Sequence, residues 1–404
     1  MTRTTILLRR LLPLFTCLVM LASASPANAF GAGPGDPDPG FGTDGTLSTP
    51  FGPGLLVPHG DGFLDTAGGL QRRLGDGSLD GSFGTDGTVE LQISAWQLVV
   101  ADDGSILAAG AGGAGVLVQH VTAEGVVDAA YGGDGVAEVP VAWPGFVYQK
   151  GSLAPRAGGG ALVVGSSSPS GSLVLVALDD QGQIDPGFGD GGMVEYRRGA
   201  APTDGVDIVV RDNGTIVVAG TVHRWDGDAQ SWTRDRPMLL GLRSDGSRSS
   251  RFGRNGVVLG HLGRREAWAV LERDDGRLIL FTYDDYWRAP LLSGFLPDGA
   301  PDPLTPLRFP SLPLSEQVEF AHPVLQADGK IVLGVGTRTC VDGCEIPRAY
   351  LARLRVDGRP NRMFGTDGVT DPVASMWPSA AVLASGRLLL GAGNPLNAIY
   401  AYTP

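Results

Sequence analysis

The amino-acid sequence predicts an all-β protein, a seven-bladed β-propeller. Three observations carry that prediction. A short phrase, aromatic–Gly–x–x–Gly, returns at residues 41–45, 83–87, 131–135, 188–192, 252–256 and 364–368. Its spacings are 42, 48, 57, 64 and 112 residues, the last being two units of 56. Periods of this size, filled with strands and turns, are those of propeller blades. Between the phrases stand Asp-Gly and Asn-Gly pairs, at Asp103-Gly104, Asn213-Gly214, Asp275-Gly276 and Asp328-Gly329, with Ser385-Gly386 in the same position. Such pairs supply the positive φ angles of a two-residue hairpin turn.

Each unit reads alike. A loosely apolar segment comes first, such as 95–100 or 206–210, and is followed by the turn. A short apolar run ending in Gly is next, as in 106–110 or 216–220. These runs barely alternate, so both faces should be covered, as in blades stacked face to face. A third apolar stretch, such as 173–178 or 350–354, leads through a second polar turn to the phrase and a more polar fourth strand. The long last spacing places a degenerate seventh copy near Asp302-Pro303-Leu304. The first unit differs, since His59-Gly60-Asp61-Gly62-Phe63-Leu64-Asp65 puts an acid inside the expected apolar run. A parallel β-solenoid is the competing architecture, but its rungs are shorter and it does not need hairpin turns.

The pattern D-G-x-Ile-x-V-x-G, an apolar strand, D-G, then F-G-x-x-G resembles the bacterial delta-60 repeat family, whose layout is similar to that of NHL-repeat propellers. The resemblance covers nearly all of residues 40–404. It implies a propeller whose innermost strand precedes Asp-Gly and whose outermost strand follows the phrase. It implies no fixed activity and no catalytic residues. With that layout the chain begins on an outer strand (41–50) and ends after an inner, a second and a third strand (380–402). The N-terminal strand is therefore expected to complete the last blade and close the ring, removing two free sheet edges. The phrase aromatics are expected to pack between blades.

The first residues read as an export leader. Arg3, Arg9 and Arg10 precede an apolar run, 11–22, and Ala27-Asn28-Ala29 fits a small-x-small cleavage site. Residues 1–29 are thus expected as a signal peptide, 30–40 as a linker and 41–404 as the propeller, in a secreted or periplasmic protein. A retained anchor helix is the alternative, though the run is short for a bilayer core. With 62 Gly, 18% charged residues and a formal charge of −12, the chain is acidic and glycine-rich. Loss of the three leader arginines makes it about −15. That charge disfavours nucleic acid and anionic lipid, whose binding needs basic residues.

All seven Trp fall at one end of the strands in this layout. Trp96, Trp143, Trp268 and Trp377 stand where the chain enters an inner strand, and are expected to plug space between blades. Trp225, Trp232 and Trp287 stand in long connections between second and third strands. These connections, 221–237, 282–288 and 337–348, define a loop face. Exposed aromatics beside carboxylates suit flat sugars or peptide segments. The candidate ligand-binding residues are His223, Trp225, Trp232, Tyr283, Asp284, Asp285, Tyr286 and Trp287, for a protein or glycan partner. Packing of the same aromatics on their neighbours is the other reading. Cys340 and Cys344 are the cysteine pair of the mature chain and are expected to form a disulfide in an oxidising compartment.

No phosphate loop, G-x-S-x-G elbow or His-x-x-x-His pair occurs. No cofactor, metal or catalytic set is expected. The leading expectation is a monomeric binding protein. A lyase or hydrolase working at the central mouth, where His223, His261 and His322 would converge, is the second. A purely structural envelope protein is the third.

Overall fold

The computed structural model describes residues 33–404 except 53, 114, 142–152, 157, 168–170, 227–230, 261–264, 285–290, 308–316, 342–343, 376–377 and 394–396. The expected leader lies outside the described residues. Seven antiparallel sheets follow one another along the chain, and the protein is a seven-bladed β-propeller. The first strands of blades 1 to 7 are Leu56–His59, Ala95–Val100, Leu153–Arg156, Thr203–Val210, Arg265–Glu272, Gln317–Leu325 and Ser379–Val382. Each lies against the first strands of the blades before and after it, and the seventh lies against the first. That closed circuit makes them the innermost strands, as the resemblance implied.

The ring closes through the N-terminus. Thr46–Ser48 is the outer strand of blade 7 and pairs antiparallel with Ala398–Tyr402, Thr46 opposite Tyr400 and Ser48 opposite Ala398. Residues 33–40 were expected as a linker, and here the structure corrects the reading. Gly35 N–H donates to Thr403 O at 3.0 Å, Asp38 N–H to Ala401 O at 2.9 Å, and Pro37 bridges Tyr402. Pro34-Gly35-Asp36 thereby supplies the turn beside the third and fourth strands of blade 7. In blade 5 the degenerate copy is a strand, Pro301–Leu307, following the Leu296–Ala300 turn directly with no phrase between. In blade 6 the fourth side is held to the third strand by the bridges Ala352–Val369 and Ala349–Val373.

The core is divided into seven apolar wedges, one at each junction between neighbouring blades. A single sheet cannot hide both faces, so each blade is stable only when flanked. All six phrase aromatics are buried in such wedges, Phe41, Phe83, Tyr131, Phe188 and Phe364 completely and Phe252 at 2% exposure. Each lies beneath the turn of the next blade. The amide after the aromatic donates to that turn: Gly42 to Asp76 O (2.9 Å), Gly84 to Glu124 O (2.8 Å), Gly132 to Gln181 O (2.8 Å), Gly189 to Asp245 O (2.8 Å), Gly253 to Asp298 O (2.7 Å) and Gly365 to Pro34 O (2.8 Å). Ring and amide together latch one blade to the next.

The phrase spelling follows from this geometry. At Gly84 φ is +55°, and an added Cβ would stand 2.4 Å from Thr88 O. Asp44, Asp86, Asn255 and Asp367, at the fourth position, also adopt positive φ, between 50° and 54°. Asp and Asn tolerate that region better than other side chains. The junction between blades 5 and 6 lacks a phrase. Its wedge is filled by Trp268, Phe281, Tyr283 and Tyr350, and Arg273 Nη2 donates to Val356 O at 2.5 Å across the gap.

The acid in the first unit is Asp65, fully buried and paired with buried Arg73. Arg73 also donates to Gly77 O at 3.0 Å, and Asp65 accepts from Ala67 N–H at 2.8 Å. Burial raises the Asp65 carboxyl above its usual range, and the Arg73 charge opposes that rise. The turn aspartates behave oppositely. Ser78, Ser105 and Ser247 donate hydroxyl and amide hydrogen bonds that hold Asp76, Asp103 and Asp245 below the usual carboxylate range. Their contribution to stability is present above the unfolded pKa, about 3.9, and is lost as pH falls through the lower folded values.

Three outcomes are expected. Phe83→Ala lowers stability by about 3–5 kcal/mol, measured by urea unfolding, while Gly84→Ala destabilises through backbone strain. Deleting 41–50 opens the ring and sharply lowers the melting temperature. Removing Arg73 alone costs about 3–5 kcal/mol by leaving Asp65 unpaired, whereas replacing both with apolar residues costs much less.

Candidate functional site

Antiparallel pairing puts both tight turns of every blade on one side of the ring. The second-to-third connections and the links between blades lie on the other, the loop face. Two of the expected loops are strands. In blade 4, Ile216–Asp226 pairs with Ser231–Leu242. The register continues past the start of the inner strand, Thr203 opposite Val222, through His223–Arg234, Arg224–Thr233, Trp225–Trp232 and Asp226–Ser231. In blade 6, Ile331–Val341 pairs with Cys344–Leu354, passing the Gln317–Arg338 pair by three further rungs. At about 3.3 Å per residue, the two hairpins project roughly 13 and 10 Å beyond the inner strands. They project because their β-rich sequences, Thr-Val-His-Arg-Trp and Thr-Arg-Thr-Cys-Val, continue the ladder instead of ending at a Gly turn.

His223 stands at the root of the blade 4 hairpin, beside a register shift after Val222. Its Nε2 lies 2.6 Å from Asp204 Oδ2, and its amide donates to Pro202 O at 2.9 Å. Ser166 of blade 3 donates to the other Asp204 oxygen at 3.3 Å. The carboxylate thus sits between hydroxyl and imidazole. In a hydrolase relay the imidazole sits in the middle, so that it can take the hydroxyl proton. The order found here orients His223 and ties the hairpin to blade 3; it does not activate Ser166. Asp204 and Ser166 were not singled out in the sequence. Their pairing joins strands from two blades, and no local spacing marks it.

The other nominated residues divide. Trp225 and Trp232 are cross-strand partners near the blade 4 hairpin tip. Tyr283 is corrected: at 1% exposure it belongs to the wedge between blades 5 and 6, packed edge-on against Trp268 with ring centres 5.3 Å apart. The alternating face of Leu278–Asp284 turns it inward. Asp284 ends that strand opposite Arg265, and Asp285, Tyr286 and Trp287 lie outside the described residues. Cys340 is paired with Glu345, and Cys344 with Val341, so the register does not oppose the cysteines to each other. His322 is opposite Gly334 in the inner strand of blade 6, and His261 lies outside the described residues. Trp96 packs against the wedge between blades 2 and 3, and Trp268 is buried at 3% exposure. Both stand at β-bulges of their inner strands, filling space between blades as expected. Trp143 and Trp377 lie outside the described residues. Among the described residues, Phe51 and Leu291 are the large apolar side chains exposed on the loop face.

Three clefts lie among blades 3, 4 and 5. The first, of about 380 Å³, runs along the outer strand Met193–Tyr196 beside Arg197, Leu240 and Arg248. None is lined by a nominated residue. Among the described residues no group of three or more His, Cys, Asp or Glu is placed to hold a metal, and no helix is long and apolar enough to cross a membrane.

No protein-family profile matches the chain, and no curated protein matches it. Solved structures do. A PQQ-bound aldose sugar dehydrogenase from Streptomyces coelicolor aligns at 14% identity and a TM-score of 0.41, covering 77% of this chain and 94% of that one. The polysaccharide lyase Uly1 aligns at 10% identity and 0.40, covering 80% and 84%. YCF48 bound to D1 peptide aligns at 10% identity and 0.37, covering 89% and 94%. These likenesses concern the fold alone.

His223→Ala is expected to loosen the hairpin without unfolding the ring. Hydrogen exchange should quicken at the amides of residues 222–226 and 231–234, with the global melting temperature little changed. Unchanged exchange there would show that Asp204 does not anchor the hairpin.

Proposed function

We propose that this chain is an exported β-propeller that binds a protein or glycan partner on its loop face. The observation that carries the reading is the pair of hairpins in blades 4 and 6. They rise past the inner strands in two blades that flank blade 5. Framework strands have no need to continue beyond the sheet, and segments that do are the usual bearers of recognition. Trp225 and Trp232, opposite each other in register near one tip, are of the residue type that recognition surfaces favour. The leader pattern of residues 1–29 and the low lysine content support a secreted or periplasmic setting and a partner that is not nucleic acid. The delta-60 pattern in the repeats agrees with a scaffold whose specificity resides in its insertions.

The test is the double variant Trp225→Ala/Trp287→Ala, assayed on a glycan array and by pull-down from the native envelope and medium. Binding should fall by at least about thirtyfold, as expected for loss of aromatic anchors, with an unchanged melting temperature. Undiminished binding by the folded variant would refute the loop-face reading.

A further inference from the structure

The opposite face of the ring carries the tight turns, and its charges are segregated. The connections between third and fourth strands form its outer rim. In blades 1 to 3 that rim exposes Asp76 and Asp86, Glu124 and Asp134, then Asp180 and Asp190. The two arginines nearest that arc are neutralised within the fold, Arg72 by Asp80 at 2.8 Å and Arg156 by Asp185 at 2.5 Å. In blade 4 the same connection exposes Arg243, Arg248, Arg251 and Arg254. In blade 6 it exposes Arg359 and Arg362, together with Asp367 and with Arg355, which is paired with Asp357 at 3.5 Å. Blades 1 to 3 are therefore acidic at the rim, whereas blades 4 and 6 carry more arginine than acid, with Asp245, Asp357 and Asp367 among the arginines and Asp298 of blade 5 between them.

Exposed aliphatic side chains accompany both halves. Leu74 (48% exposed), Leu79 (42%), Val126 (59%) and Ile184 (39%) stand among the acids. Val356 (48%) and Met363 (81%) stand among the arginines. Among the described residues, most of the exposed large apolar side chains are on this rim, and Phe51 and Leu291 are on the loop face.

We propose that this turn face is a docking surface for a second copy of the chain. A two-fold axis lying in the plane of the ring brings the acidic arc of one copy onto the arginine arc of the other. Two-fold symmetry then makes the complementary contact twice. An unrelated acidic partner would match only blades 4 and 6 and be repelled by blades 1 to 3, and a basic partner the reverse. A second copy carries both arcs and so satisfies both halves together. The aliphatic residues give each contact an apolar centre, and the charges set its register and speed its formation. This surface is separate from the loop face, so the dimer presents two loop faces outward.

The test is sedimentation of the mature chain at about 0.05 and 0.5 M salt. The expected result is a dimer whose dissociation constant rises at least about tenfold with salt, since screening weakens exposed charge pairs. Two variants with unchanged melting temperatures sharpen it. Arg359→Glu/Arg362→Glu makes both arcs acidic, and Glu124→Arg/Asp180→Arg weakens or reverses the acidic arc. Each alone should sediment as a monomer, and an equimolar mixture should re-form a heterodimer. A wild-type monomer at all concentrations overturns the proposal. So does a dimer indifferent to salt and to both variants, or two variants that stay monomeric when mixed. Binding of the arginine arc to an anionic polymer by a strictly monomeric protein overturns it in favour of that ligand.

Discussion

The structure depends on one contact repeated around the ring: a buried aromatic of one blade beneath the turn of the next, with the following glycine amide bonded to that turn. Burial of such a ring is worth about 1.5–3 kcal/mol. The hydrogen bond is directional, so it fixes how far each blade leans on its neighbour. Neither partner is satisfied within its own blade, and seven small sheets therefore become one cooperative unit. Phe364 and Gly365 make the same contact with Pro34 and Gly35, which is why the N-terminal residues are an integral part of the last blade.

The exceptions mark where that rule is met by other means. Between blades 5 and 6 the phrase is absent, and Trp268, Tyr283 and Tyr350 fill the wedge while Arg273 spans the gap. In blade 1, Asp65 occupies an apolar position and is tolerated because Arg73 and the Ala67 amide satisfy it. In both places one feature of the repeat is replaced by a tertiary arrangement.

The two faces of the ring follow from the same strand order. Tight turns collect on one side, leaving their charges and aliphatic side chains on a shallow rim. Longer connections collect on the other, where two have grown into hairpins. A propeller can thus separate self-association from ligand recognition, because changes at one end of a blade leave the register at the other end intact.

The strand order and the closing strand are implied by a family resemblance, whereas the blade number, the hairpins and the burial of the phrase aromatics are read from the sequence by itself. The last three are consequences of local rules repeated at a period: positive φ at Gly84 and Asp86, a hairpin at each Asp-Gly, apolar runs too uniform for a one-sided sheet. Residues 33–40 were read as a linker because half of their turn lies at the far end of the chain, in Ala401 and Thr403. Tyr283 was read as exposed because its neighbours are polar, yet strand alternation and a missing phrase turned it into a wedge. The Ser166–Asp204–His223 chain and the division of charge around the rim were legible in no segment. Each joins residues from different blades, and only the closing of the ring decides which blades are neighbours and which side chains share a face.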